Sequence, residues 1–231
     1  MKLLENLYRI FTTPKYLNTF LSGMRLTLIV SVGAAVLGLV LGVFVALCKL
    51  SSKQNRAMAL PRAIAGVYVT VIRGTPMALQ LFIMAFVIFT FRGFPLAVTA
   101  FLAFGINSGA YVAESIRGGI LSVDIGQTEA GLSLGLSRTV TMRRVVIPQA
   151  IKNVIPAIGN ELIALVKETS IVSMIGMQDL TAAAKNVGAG NNLASYLVPM
   201  LVAAGFYLVI VYALTFLVKR VEKRLRASDR T

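Results

Sequence analysis

Charged residues are unevenly spaced along the chain, and the gaps between them set the first expectations. No charged side chain lies between Arg25 and Lys49, which leaves the 23-residue run Leu26–Cys48. As a helix it is about 35 Å long at 1.5 Å per residue, enough to cross about 30 Å of hydrocarbon. It is longer than the apolar part of a secretory signal, so it predicts a retained membrane-spanning helix. The basic residues Lys49, Lys53, Arg56 and Arg62 follow.

Arg73-Gly74-Thr75-Pro76 then opens an apolar stretch that reaches Phe91. Thr75 suits an N-cap and Pro76 the first helical position, which predicts a second span starting near Pro76. Residues 57–72 read as an amphipathic lead-in at the inner face, or as the lower half of one long helix. After the turn Arg92-Gly93-Phe94-Pro95, a third span is expected from about Leu96 to Ala113. A fourth runs from Asn153 to about Val166 or beyond, interrupted by Asn160 and Glu161. Asp179 is placed to cap a short outer helix ending at Gly188, and a fifth span follows over Leu193–Val218. The expected fold is an all-α membrane protein with about five transmembrane helices and a cytoplasmic helical loop. Residues 1–25 form an extracytoplasmic lead-in, 20–218 a single transmembrane domain with the loop at 114–152, and 219–231 a basic cytoplasmic tail.

Composition agrees. Only 14% of the residues are charged and 57% are hydrophobic, whereas a water-facing surface requires roughly 25% charge. The net charge of +14 comes from clusters flanking apolar runs, the pattern of lipid head groups and of the positive-inside rule rather than of nucleic-acid binding. With the tail inside, 16 of the 23 Lys and Arg, Arg73 among them, fall on the cytoplasmic side. This predicts the N-terminus outside and the C-terminus in the cytoplasm, with Lys2, Arg9, Lys15 and Arg25 dissenting. The absence of histidine removes Ser–His–Asp and Cys–His catalysis and the usual zinc sites. A single cysteine, Cys48, leaves no internal disulfide, and no Gly-rich lysine loop is present to bind nucleotide. The expectation is therefore no metal, no cofactor and no catalysis, with any energy source on a partner.

The most informative stretch is Gly126-Gln127-Thr128-Glu129-Ala130-Gly131-Leu132-Ser133-Leu134-Gly135, followed by Leu136-Ser137-Arg138 and ending Val145-Val146-Ile147-Pro148. It predicts two short helices. Asp124 caps the first, with Gln127 three residues on as in a capping box. Gly135 suits the left-handed position that ends it, Ser137 caps the second, and Pro148 marks the turn into span four. Such a pair makes a rigid lever, or a plain solvated connector.

Here the chain resembles the permease subunits of bacterial ATP-binding-cassette importers, whose cytoplasmic pattern is Glu-Ala-Ala, three residues, Gly, nine residues, Ile, one residue, Leu-Pro. Glu129-Ala130-Gly131, Gly135, Val145, Ile147 and Pro148 stand at that spacing, with Gly131, Val145 and Ile147 departing conservatively. Three further stretches resemble the polar amino-acid branch (histidine, glutamine or arginine type): Arg73-Gly74-Thr75-Pro76 with Gln80-Leu81-Phe82, Asn107-Ser108-Gly109-Ala110-Tyr111, and Asn160 to Ser170. The resemblance implies a type I importer permease fold in the bacterial inner membrane. Its partners would be a second permease (identical or paralogous), an ATPase dimer below, and an extracytoplasmic substrate-binding protein above. Glu129, Ala130, Gly131, Gly135 and Pro148 would form the ATPase-docking loop. ATPase closure would then rock the spans between outward- and inward-open states.

Polar residues within the spans supply a candidate substrate path. Glu161 lies about nine residues into span four, where a carboxylate costs about 2.5–3.5 kcal/mol and must face the bundle interior or a wet cavity. Glu168 follows seven residues later on the same helical face. Asn107 and Tyr111 lie one turn apart beside Ser108, and Asn160 and Gln80 complete the set. Asn107, Ser108 and Asn160 also suit plain interhelical hydrogen bonds. Gly38 and Gly42 predict close packing on a neighbouring span or on the partner permease. The competing function is a stand-alone secondary transporter or channel, though the chain lacks the duplicated halves such folds usually show. A purely structural membrane scaffold would have no reason to carry Glu161.

Overall fold

The computed structural model describes residues 2–51, 55–189 and 196–227, and their regular structure is entirely helical. The helices are α1 (Lys2–Thr12), α2 (Pro14–Leu50), α3 (Ala59–Gly74), α4 (Met77–Ile83), α5 (Leu96–Leu121), α6 (Ile125–Ser133), α7 (Arg138–Thr141), α8 (Ile147–Glu168), α9 (Leu180–Ala189) and α10 (Leu197–Ala227). Among the described residues, α2, α5 and α10 are long and apolar enough to cross a membrane, and the bent pair Arg56–Gly74 and Met77–Ile88 makes a fourth if it is one span. The expected fourth span, α8, falls outside this group because Lys152, Glu161, Lys167 and Glu168 interrupt its 22 residues. The start of the expected fifth span at residues 193–195 lies outside the described residues.

Three boundaries differ from expectation, each for a physical reason. Residues 59–74 form a helix of their own, with Thr75 as its C-cap in extended conformation and the Thr75 hydroxyl donating to the Val71 carbonyl at 2.9 Å. The next helix starts at Met77, one residue later than predicted. Second, α5 continues two turns past Ala113 to Leu121, because Glu114 and Arg117 pair with one another rather than ending the helix. Third, Pro148 does not mark a turn: a π-helical stretch, Met142–Val146, joins α7 to α8. Proline lacks the N–H that would bond to the carbonyl four residues back, and a widened turn relieves the clash of its ring.

The chain divides into two compact units. The first comprises residues 1–35, 77–105 and 162–214. One of its cores gathers Val30, Ala34, Leu81, Phe104, Leu165 and Val172. The other gathers Ile10, Phe20, Leu180, Val187, Val198 and Val202, with Phe20 stacked on Phe206 at 5.8 Å.

The second unit comprises residues 36–76, 106–161 and 215–231. Its core is small: Ala46, Val69, Ala110 and Ala113. Here backbones approach closely where side chains are absent. A Cβ on Gly38 would lie 2.6 Å from Ser108 Oγ, and one on Gly42 2.5 Å from Val112 Cγ1. The Gly38–Gly42 pair is therefore used within the chain, against α5. Gly119 meets Val154 and Gly159 meets Val218 in the same way. Along α2, Ile29, Val36, Val40, Phe44 and Leu47 are all more than half exposed. An apolar outer stripe over an apolar inner one is the mark of a helix whose solvent is lipid.

Candidate functional site

The helical loop after α5 is built as its sequence predicted at both caps. Asp124 Oδ1 accepts from Gly126 N at 2.7 Å, and Ser137 Oγ accepts from Val140 N at 3.4 Å. The side chain of Gln127 does not close a capping box; its Oε1 accepts from Gln149 Nε2 at 3.1 Å, which ties α6 to the start of α8. Gly135 adopts φ +79°, the left-handed conformation that glycine tolerates best. Glu129, Ala130 and Pro148 are exposed. Gly131 is not: a Cβ there would lie 2.6 Å from Thr141 Cγ2. Its small size lets α6 lie against α7 rather than admitting an outside surface. Around Glu129 and Ala130, Ile125 and Leu134 are 71% and 82% exposed, so the loop presents apolar side chains outward.

The candidate path residues divide between the two units. Asn107, Ser108, Tyr111, Asn160 and Glu161 belong to the second, Gln80 and Glu168 to the first. Asn107 and Ser108 are buried; Tyr111, Gln80, Glu161 and Glu168 are half-buried, and Asn160 is exposed. The Ser108 hydroxyl is buried without a hydrogen-bond partner among the described residues. The Arg73 guanidinium lies over the Tyr111 ring, 5.2 Å from its centroid. Five residues earlier on α3, the Tyr68 hydroxyl donates to the Ile106 carbonyl at 2.5 Å. Gly109 makes room for it, since a Cβ there would lie 2.8 Å from that oxygen.

The fold assembles two further polar clusters from residues distant in sequence. Lys49 Nζ, at the end of α2, meets Glu114 Oε2 at 3.1 Å, and Arg117 Nε donates to Glu114 Oε1 at 2.8 Å. Opposite charges just beyond two predicted spans were the available signal. In the first unit, fully buried Asp179 caps α9 by accepting from Thr181 N and Ala182 N, both at 3.0 Å, as its position predicted. It also accepts from the Tyr207 hydroxyl at 3.4 Å, while Leu180 N donates to Thr27 Oγ1 at 3.3 Å. Burial pushes the Asp179 carboxyl above its ordinary range, and these donors pull it back. No group of His, Cys, Asp and Glu suited to a metal occurs among the described residues.

Long apolar helices and a capped polar loop that follows one of them mark a multi-pass membrane protein. Comparison with known proteins narrows this. Residues 38–227 match the family model described as binding-protein-dependent transport system inner membrane component. The arginine transport system permease protein ArtQ of Bacillus subtilis (strain 168) is 41% identical over 211 residues, covering 90% of this chain and 93% of its own length. The glutamine transport system permease protein GlnP of Escherichia coli (strain K12) is 37% identical over 215 residues, covering 89% and 92%. Among solved structures, an amino acid ABC transporter matches with a TM-score of 0.84 at 39% identity over 93% of this chain and 98% of that one. An inward-facing MetNI methionine ABC transporter matches at 0.73 with 19% identity, a likeness of fold alone, over 93% and 99%. The chain belongs to the family of binding-protein-dependent transport system inner membrane components, the permease subunits of ATP-binding-cassette importers. It has their type I fold, lies in the membrane and leaves ATP hydrolysis to a partner subunit.

Proposed function

We propose that this chain carries a polar amino acid across the bacterial inner membrane, as its relatives named for arginine and glutamine transport suggest. It pairs with a second permease, identical or paralogous. A binding protein delivers the solute on the outer side, where the N-terminus lies, and an ATPase dimer docks on α6 in the cytoplasm, where the C-terminus lies. Residues 20–218 form the permease domain, with 1–25 as the outer lead-in, 114–152 as the coupling loop and 219–231 as the cytoplasmic tail. The observation that carries this reading is α6 itself. It is capped at its start and ended by left-handed Gly135, and it exposes Glu129 and Ala130 between the apolar side chains of Ile125 and Leu134. Exposed apolar side chains on a polar loop favour a protein partner. Glu129 anchors that contact, while Gly131, Gly135 and Pro148 shape the loop around it. Closure of the ATPase pushes the loop and rocks the spans.

In the second unit Asn107, Ser108, Tyr111, Asn160 and Glu161 serve as path residues, and in the first unit Gln80 and Glu168 do. The test is ATP-driven uptake of L-arginine and L-glutamine by proteoliposomes holding this chain, its ATPase and its binding protein. Uptake that requires all three components supports the reading. Uptake by this chain alone would replace it with a stand-alone transporter, and wild-type coupling in Glu129→Ala would remove the docking assignment.

A further inference from the structure

The first helix is divided lengthwise. In α1, Leu3, Leu7 and Phe11 recur at four-residue intervals beside Ile10, while exposed Glu5, Arg9 and Thr12 take the opposite side. Ile10 is fully buried in the core that holds Phe20, Leu180 and Val198, which pins α1 to its unit. The stripe Leu3–Leu7–Phe11 does not close on α10. Between them lies a groove of about 440 Å³, lined on the far side by Val198, Leu201, Val202, Phe206 and Val209, with Gly205 among them. All of these residues belong to the first unit. The gap opens where α10 lacks a side chain. Beyond its chain neighbours and the backbone of its own helix, no atom among the described residues lies within 4 Å of a Cβ on Gly205.

Chemistry and size narrow what can fill the groove. Every lining residue is apolar, and ordered water needs two to four polar partners. Leu201 and Val209 are more than half exposed, and Leu3 and Phe11 about half, so the groove opens onto the apolar surface that α10 turns to lipid. Leu3 to Phe11 covers about 12 Å of helix and Val198 to Val209 about 17 Å, against about 15 Å for one leaflet's half of the hydrocarbon. A further ten residues, about 15 Å, separate Val209 from Lys219, the first cation of the tail. The groove therefore belongs to the leaflet at the other end of the span. Spread over its length, 440 Å³ gives a section of about 25–35 Å², less than half of the ~80 Å² of a helix 10 Å across. One extended hydrocarbon chain fits such a channel; a helix does not.

We propose that the groove between α1 and α10 is a lipid site, occupied by one acyl chain of a phospholipid from the leaflet opposite the basic tail. At 11 residues, α1 is about 16 Å long, too short to cross the bilayer. A short helix with one charged face and one apolar face rests at the membrane boundary. The bound chain supplies the packing partner that Gly205 leaves out and joins α1 to α10 through dispersion contacts. The site lies wholly within the first unit and is independent of which solute the permease carries.

The experiment is photolabelling of the purified permease–ATPase complex in phosphatidylglycerol nanodiscs containing phosphatidylcholine with a mid-chain diazirine, mapped by mass spectrometry. In the wild type, labelling over residues 3–11 and 198–209 is expected to exceed that of Val40 and Phe44, exposed apolar positions of α2 outside the groove. G205L fills the groove from its floor, where a side chain meets open space, and should lose this excess while α2 labelling stays unchanged. V209F fills it from the mouth and should do the same; it carries the test if G205L fails to assemble. Groove labelling no higher than that of α2 in the wild type, or an excess that persists in either variant, overturns the inference. So does capture of a second permease, instead of lipid, by a photoreactive side chain substituted for Leu201, which would make the groove an interface between permeases.

Discussion

Lys49 Nζ lies 3.1 Å from Glu114 Oε2, and both side chains are only about one-fifth exposed. The pair joins the end of α2 to the part of α5 that leads directly into the coupling loop. A half-buried ion pair with a second donor from Arg117 resists separation, because removing one partner leaves the other charge desolvated. Lys49→Met is therefore expected to destabilise the assembled complex by about 1–3 kcal/mol. The exchanged pair Lys49→Glu with Glu114→Lys should recover part of the loss. Thermal unfolding in detergent, read as a double-mutant cycle, checks both; a coupling energy near zero would remove the pair from the structural account.

Glycine positions along the spans differ in what they tolerate. Gly38→Ala places a Cβ 2.6 Å from Ser108 Oγ, which forces α2 and α5 apart at a cost of about 1–3 kcal/mol. Beyond its chain neighbours and the backbone of its own helix, no atom among the described residues lies within 4 Å of a Cβ on Gly66. Gly66→Ala should be neutral or stabilise α3 by up to about 1 kcal/mol. Thermal midpoints of the two variants, measured together, test the ordering.

The coupling loop makes its prediction through backbone geometry. Gly135→Val must hold a β-branched residue at φ +79°, where left-handed backbone costs about 1–2 kcal/mol. Asp124→Ala removes the cap on Gly126 N at about 1 kcal/mol. Hydrogen exchange over residues 125–133 should speed up in both. ATP-driven uptake should fall more than binding-protein-independent ATPase activity, since a loosened lever uncouples the motor without stopping it. Equal loss of both activities would count against a coupling role.

Glu161 supplies the selectivity prediction. Glu161→Gln keeps the size and removes the charge, so uptake of L-arginine should fall more than uptake of L-glutamine. Initial rates with saturating binding protein measure the ratio; an unchanged ratio and unchanged rates would exclude Glu161 from the path.

Asp179 joins a cap to a tertiary contact. Asp179→Asn preserves an N-cap acceptor and should cost less than about 1 kcal/mol, while Asp179→Ala also leaves the Tyr207 hydroxyl without its carboxylate partner and should cost about 1–3 kcal/mol. A thermal midpoint of Asp179→Ala equal to that of the wild type would show that this side chain does not hold α9 in place.

The helices and caps could be read directly because their signals are local. The charge-free run Leu26–Cys48 had no alternative in a bilayer, where backbone groups must bond within the segment. Asp124, Ser137, Gly135 and Asp179 act within four residues of themselves, so sequence order alone placed them. What depended on distant partners was not legible. Nothing near Glu114 in the sequence identifies Lys49, 65 residues away, as its partner. Gly131 carried the same signal whether it faced an ATPase or Thr141. Arg73 reads as the last charge before a span until α3 is seen to continue up to it.

Hydrophobicity and local chemistry along the chain thus determined an all-helical membrane protein with a capped polar loop, since burial in lipid and capping both act over short stretches. Only the tertiary structure decided which small residues bring α2 onto α5, which charges pair, and which cation stands over Tyr111. Those outcomes depend on where separate helices meet, and the packing of helices within each unit fixes that.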